Sequence, residues 1–96
     1  MMRSVASVPT AHAYRYLQQL CKHWSHKMDV AFDAEHGRID FPNGTRTLLM
    51  AAAETLTVTL EVPDGEDASR MQQVVADHLD RFAFREAPLP FNWQSG

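Results

Sequence analysis

The stretch Leu56-Thr57-Val58-Thr59-Leu60-Glu61-Val62 decides the fold. Apolar and polar residues alternate through all seven positions, which is the period of a strand with one buried and one wet face. Leu56, Val58, Leu60 and Val62 are assigned inward, and Thr57, Thr59 and Glu61 outward. A strand of this kind needs antiparallel neighbours and an apolar layer over its inner face.

The neighbours lie immediately upstream. Thr45-Arg46-Thr47-Leu48-Leu49-Met50-Ala51-Ala52 reads as the adjacent strand. Leu48 and Met50 are assigned to its inner phase. Arg46 shares that phase and would snorkel from the sheet end. Thr47, Leu49 and Ala51 then fall on the open face. Asn43-Gly44 is a strong short hairpin signal. Before it, Ile39 and Phe41 share one phase, as do Val30 and Phe32. Ala34-Glu35-His36-Gly37 joins these two segments, with Gly37 suited to a left-handed turn position. The result is a four-stranded antiparallel meander. Residues 3–8 add a short edge strand.

Two helices flank the meander. Thr10 is read as the N-cap. From Ala11 to Lys27, Ala13, Leu17, Leu20, Cys21, Trp24 and Met28 recur at spacings of mostly three and four, one face of an amphipathic helix. Pro63-Asp64-Gly65-Glu66-Asp67 closes the sheet and opens the second helix, where acids suit the positive end of the dipole. Met71, Val74, Val75, His78, Leu79 and Phe82 form its apolar stripe. Residues 87–96 read as an extended C-terminal tail in which Phe91 and Trp93 share a phase. The order is β-α-β-β-β-β-α, with room for a final strand. Two amphipathic helices and one apolar sheet face combine most simply as a two-layer α+β sandwich, with four to five antiparallel strands and both helices on one side. In shape this topology resembles half of the TATA-binding protein.

Composition bounds the function. The chain has 96 residues, one domain's worth, and a net charge of −3. Residues 1–28 carry Arg3, Arg15, Lys22 and Lys27 and no acid, while residues 29–96 carry all 12 acids against five bases. An acidic total and the lack of stacking aromatics in basic strands argue against nucleic acid. No apolar run reaches the ~20 residues of a membrane span, and the N-terminus lacks a secretory apolar core. With a single cysteine there is no internal disulfide. The expectation is a cytoplasmic domain. No P-loop, GxSxG, HExxH, CxxC or EF-hand loop is present, and no cofactor is expected.

Four segments carry a resemblance: RYLQQLCKHWSHK (15–27), HGRIDFPNGT (36–45), HLDRFAFRE (78–86) and FNW (91–93). Together they resemble a bacterial family of small single-domain proteins, domain of unknown function family 2218. The resemblance implies no defined activity. Some members resemble accessory domains beside siderophore-interacting flavoproteins, which implies an accessory role in iron or siderophore handling.

The residues themselves offer three sites. Arg15, Lys22, His23, His26, Arg81 and Arg85, with Lys27, form a basic surface across both helices. It is suited to an anionic small molecule or an acidic protein, with arginine supplying bidentate contacts. Cys21 and His78 lie on the two apolar stripes, and a thiol–imidazole pair is the minimum for a small thiol enzyme. A metal site is not expected, because Cys21 and His23 lie ~200° apart on a helix and only His23 and His26 share a face. Third, the open sheet face or a sheet edge could receive a second copy of the chain.

Overall fold

Eight elements follow one another in the computed structural model, which describes all 96 residues: β1 (Met2–Pro9), α1 (Ala13–Trp24), β2 (Asp29–Phe32), β3 (His36–Asp40), β4 (Arg46–Ala51), β5 (Thr55–Val62), α2 (Ala68–Phe82) and β6 (Gln94–Ser95). The strands form one antiparallel sheet in the order β2-β3-β4-β5-β1-β6. Both helices cover one face. The two-layer α+β sandwich and its element order match the sequence reading, with six strands rather than four or five.

β1 is not an edge strand. It pairs with β5 along its whole length, and β6 meets its other side at Ser4 and Val5. Its buried phase is Ser4, Ala6 and Val8. Two of these are small, so the alternation is faint in sequence. The Ser4 hydroxyl is accommodated by accepting from Gln72 Nε2 of α2 at 2.9 Å.

The phase of β4 is the reverse of the expected one. Thr47, Leu49 and Ala51 are buried, paired with Leu60, Val58 and Leu56 of β5. Arg46, Leu48 and Met50 are on the open face. Both phases of this strand are apolar, so alternation alone does not separate them. Charge separates them. The expected phase would leave Arg46 to snorkel from the end of the helix-covered face, away from Asp40. The observed phase lets Arg46 Nε donate to Asp40 Oδ1 of β3 at 2.7 Å. It leaves the buried Thr45 and Thr47 hydroxyls without a protein partner, at roughly 1–3 kcal/mol each.

Gly37 has a different role from the expected one. It lies within β3 and its φ is not positive. A Cβ there would sit 2.7 Å from Cys21 Sγ, so the glycine lets α1 approach the sheet. The preceding turn is shaped instead by Asp33, whose Oδ1 accepts from the Glu35 and His36 amides at 2.8 Å. Gly44 does have a positive φ, +91°, but Asn43 does not, so the connection is a longer loop with Gly44 in the left-handed position rather than a two-residue Asn-Gly turn.

α1 starts at Ala13, later than the Thr10 cap implies. The Thr10 hydroxyl accepts from the His12 amide at 3.1 Å, ahead of the helix. α1 buries Tyr16, Leu17, Leu20, Cys21 and Trp24, and α2 buries Met71, Val75 and Leu79. α2 is capped by Asp67, which accepts from the Arg70 amide at 3.1 Å. The helices run antiparallel: Tyr16 meets Glu86 beyond the end of α2, while Trp24 packs on His78, with ring centroids 4.7 Å apart. The tail is held closely. The Ala87–Pro88 peptide is cis, Leu89 is buried with its amide donating to Asp80, Phe91 stacks on Trp93, and the chain ends in β6.

Candidate functional site

The end of α1 and the second half of α2 form one cluster. His23 lies 5.6 Å from His78 and 5.8 Å from Phe82, centroid to centroid. His78 Nδ1 is 2.7 Å from the Val74 carbonyl oxygen, so as a donor it leaves Nε2 free. The His23 pKa is lowered, first by partial burial of its ring and then by the charges of His78, Lys27, Arg81 and His26. Four basic side chains act on this one imidazole, His26 and Lys27 from the turn after α1 and His78 and Arg81 from α2. Of the residues singled out in sequence, His23, His26, Lys27 and Arg81 are brought together, and His78 joins them. Arg15 lies toward the other end of α1, where its charge acts on Tyr16. Arg85 stacks over Phe84 at 5.7 Å. Lys22 is exposed, and its carbonyl accepts from Ser25 Oγ.

The Cys21–His78 pair does not form. Cys21 is fully buried and points onto Gly37 of β3, whereas His78 faces His23 and Trp24. Burial pushes the Cys21 thiol up to about 11, so it is protonated at neutral pH. The thiol-enzyme reading is corrected on this geometry: nothing within hydrogen-bond reach would activate the sulfur.

One constellation was missed in sequence. Glu86 accepts from Thr10 Oγ1 at 3.0 Å and from the Tyr16 hydroxyl. The Tyr16 bond, more than any other contact, holds Glu86 below the usual carboxylate range, with Thr10 and His12 assisting. Tyr16 is raised, mainly by burial. The clamp joins the start of α1 to the chain beyond α2. Its only sequence signal is Tyr16 adjoining the apolar stripe.

The other side of the sheet has a different electrostatic order. Asp29, Asp40, Arg46, Glu61 and Arg3 form a row of register neighbours across five strands. Arg46 pairs with Asp40, Arg3 lies 4.0 Å from Glu61, and Arg38 pairs with Asp40 and, at 3.7 Å, with Asp29. No group of three or more His, Cys, Asp or Glu side chains has a geometry that could hold a metal ion. No helix is long and apolar enough to cross a membrane.

These features define a two-layer α+β domain with one face of unpaired cations and one of paired charges. Residues 5–94 match the family described as an uncharacterized protein conserved in bacteria, DUF2218, and the chain belongs to that family. It is similar to the NMR structure of PA4090 from Pseudomonas aeruginosa: 41% identity, a TM-score of 0.80, and coverage of 98% of this chain and 96% of that one. The comparison with curated proteins gave no match.

Proposed function

We propose that the protein is a binding or accessory domain whose helical surface receives an anionic small molecule or an acidic segment of a partner protein. The observation that carries this reading is the division of the ion pairs. Arg15, Lys22, Lys27, Arg70, Arg81 and Arg85, all on the helical side, have no carboxylate within 4.0 Å. The three remaining lysine or arginine cations, Arg3, Arg38 and Arg46, lie on the sheet, where Arg3 and Arg46 have one each and Arg38 has two.

Acids are present on the helical side, but neutral donors engage them. Asp77 accepts from Gln73, Asp80 from the Leu89 amide, and Glu86 from Thr10 and Tyr16. The cations therefore keep their donors for an external acceptor. An exposed ion pair is worth only about 0–1 kcal/mol. Binding must then come from several contacts together and must weaken with salt.

Calorimetric titration with inorganic phosphate and with a polyglutamate peptide at low ionic strength tests the reading. A ferric siderophore, the ligand class the family resemblance suggests, is titrated alongside. Saturable binding of an anion is expected. Lys22→Ala/His26→Ala and Lys27→Ala/Arg81→Ala should weaken it with little change in melting temperature. Unchanged affinity in both variants would remove the helical surface from the account.

A further inference from the structure

The face of the sheet without helices carries a groove of about 570 Å³. That size lies within the roughly 300–1,000 Å³ of sites that take small organic ligands. Its floor is Leu48 and Met50 of β4 with Thr57 and Thr59 of β5, and Ala31 and Phe32 of β2 form one side. Met50 is 54% exposed and Phe32 37%. The reversed phase of β4 creates this floor, because it presents two large apolar side chains to solvent where the core makes no use of them.

The rim adds a polar element. Arg38 of β3 is the register partner of Leu48, and His36 that of Met50. Arg3 of β1 stands on the far side. The carboxylates that orient Arg38, those of Asp29 and Asp40, do not line the groove. Arg38 meets them through Nη1 alone, while a guanidinium carries five N–H donors. Asp33 is the one acid in the lining, and its Oδ1 is occupied by the Glu35 and His36 amides. The groove thus combines an apolar floor with a guanidinium that is oriented through Nη1 and keeps further N–H donors for a ligand.

We propose that this groove binds a small amphipathic carboxylic acid, with its apolar body on Leu48 and Met50 and its carboxylate on the guanidinium of Arg38. A guanidinium fork fits a carboxylate in a bidentate manner, and its existing ion pairs fix its direction before the ligand arrives. A second copy of the chain fits less well, since two concave faces meet at their rims and leave the floors apart. The site is independent of the helical surface and lies on the opposite face.

The test uses the full chain, octanoate as the acid and octanol as its neutral counterpart, followed by amide NMR. Octanoate should bind saturably and shift Arg38, Leu48, Met50, Thr57 and Thr59. Met50→Glu, a change at an exposed position, should weaken octanoate about tenfold or more by placing a charge on the floor. Arg38→Gln should weaken octanoate several-fold and leave octanol unchanged. If Arg38→Gln fails to fold, the octanoate-to-octanol ratio in the wild type and the Met50→Glu result decide. Absence of saturation, shifts confined to α1 and α2, or equal affinity for octanol would overturn the proposal. Concentration-dependent shifts of the floor without any ligand would assign the face to a second copy, and would overturn it too.

Discussion

The helical face and the open sheet face have opposite solutions to the same problem of charge. On the sheet, antiparallel register sets acids beside bases on neighbouring strands, and Arg3, Arg38 and Arg46 are all paired. On the helices, neutral donors take the acids and the bases stand alone. The net charge of −3 conceals this division. Register imposes neighbours across a sheet, whereas helix surfaces choose partners only at spacings of three and four. A chain of mildly acidic composition can therefore present a face whose cations lack direct carboxylate partners.

The largest expected effect lies in β4, whose two phases separate core from open face. Leu49→Ala should cost about 2–4 kcal/mol in urea unfolding, as a buried leucine does. Met50→Ala should stay within roughly 0.5 kcal/mol, as an exposed site does. Equal losses at the two positions would contradict the register. Next in size is Gly37→Ala, where the new Cβ meets Cys21 Sγ at 2.7 Å. A loss of about 1–3 kcal/mol is expected from overpacking. Cys21→Ala in the same chain should recover part of it, and simple additivity of the two changes would show that they do not touch. In the native wild type, Cys21 should resist alkylation at neutral pH and react only on unfolding.

Tyr16→Phe should cost about 0.5–1.5 kcal/mol through loss of the bond to Glu86. Because the Glu86 pKa is lowered in the fold, its contribution is present above the ordinary glutamate value. It disappears as pH falls through the lowered one. Tyr16→Phe should therefore flatten the acid limb of the stability profile, as measured by urea midpoints. The smallest effect sharpens the helical side. His23 should titrate below 6.5 in an NMR series, and Lys27→Ala/Arg81→Ala should move it back toward 6.5. With a lowered folded pKa, His23 opposes stability as pH falls below 6.5. A bound anion should reverse that by raising the pKa.

Much of the architecture was legible from period alone. β5 alternates without fault, and both helices repeat at three and four, so the two-layer sandwich followed. β4 was not legible, because Leu48 and Met50 compete with Leu49 and Ala51. Only pairing with β5 and the position of Arg46 separate the two phases. β1 was half hidden by Ser4 and Ala6, small residues that bury well but signal little. Gly37 carried a true signal with the wrong cause, since its meaning depends on Cys21 lying opposite. The basic cluster was partly legible, because His23, His26 and Arg81 stand near helix ends. Its gathering around His23 needed the antiparallel packing of α1 on α2. The Tyr16–Glu86 clamp joins residues 70 positions apart, and alternation has no access to that. The groove stayed hidden for the same reason as the phase of β4.

One measurement addresses the division of the two faces most directly: amide NMR of a single sample titrated in turn with inorganic phosphate and with octanoate. Two disjoint sets of shifts are expected. Phosphate should move His23, His26, Lys27 and Arg81, and octanoate should move Arg38, Leu48, Met50 and Thr59. Shifts from both anions on the same face, or none from either, would contradict the account.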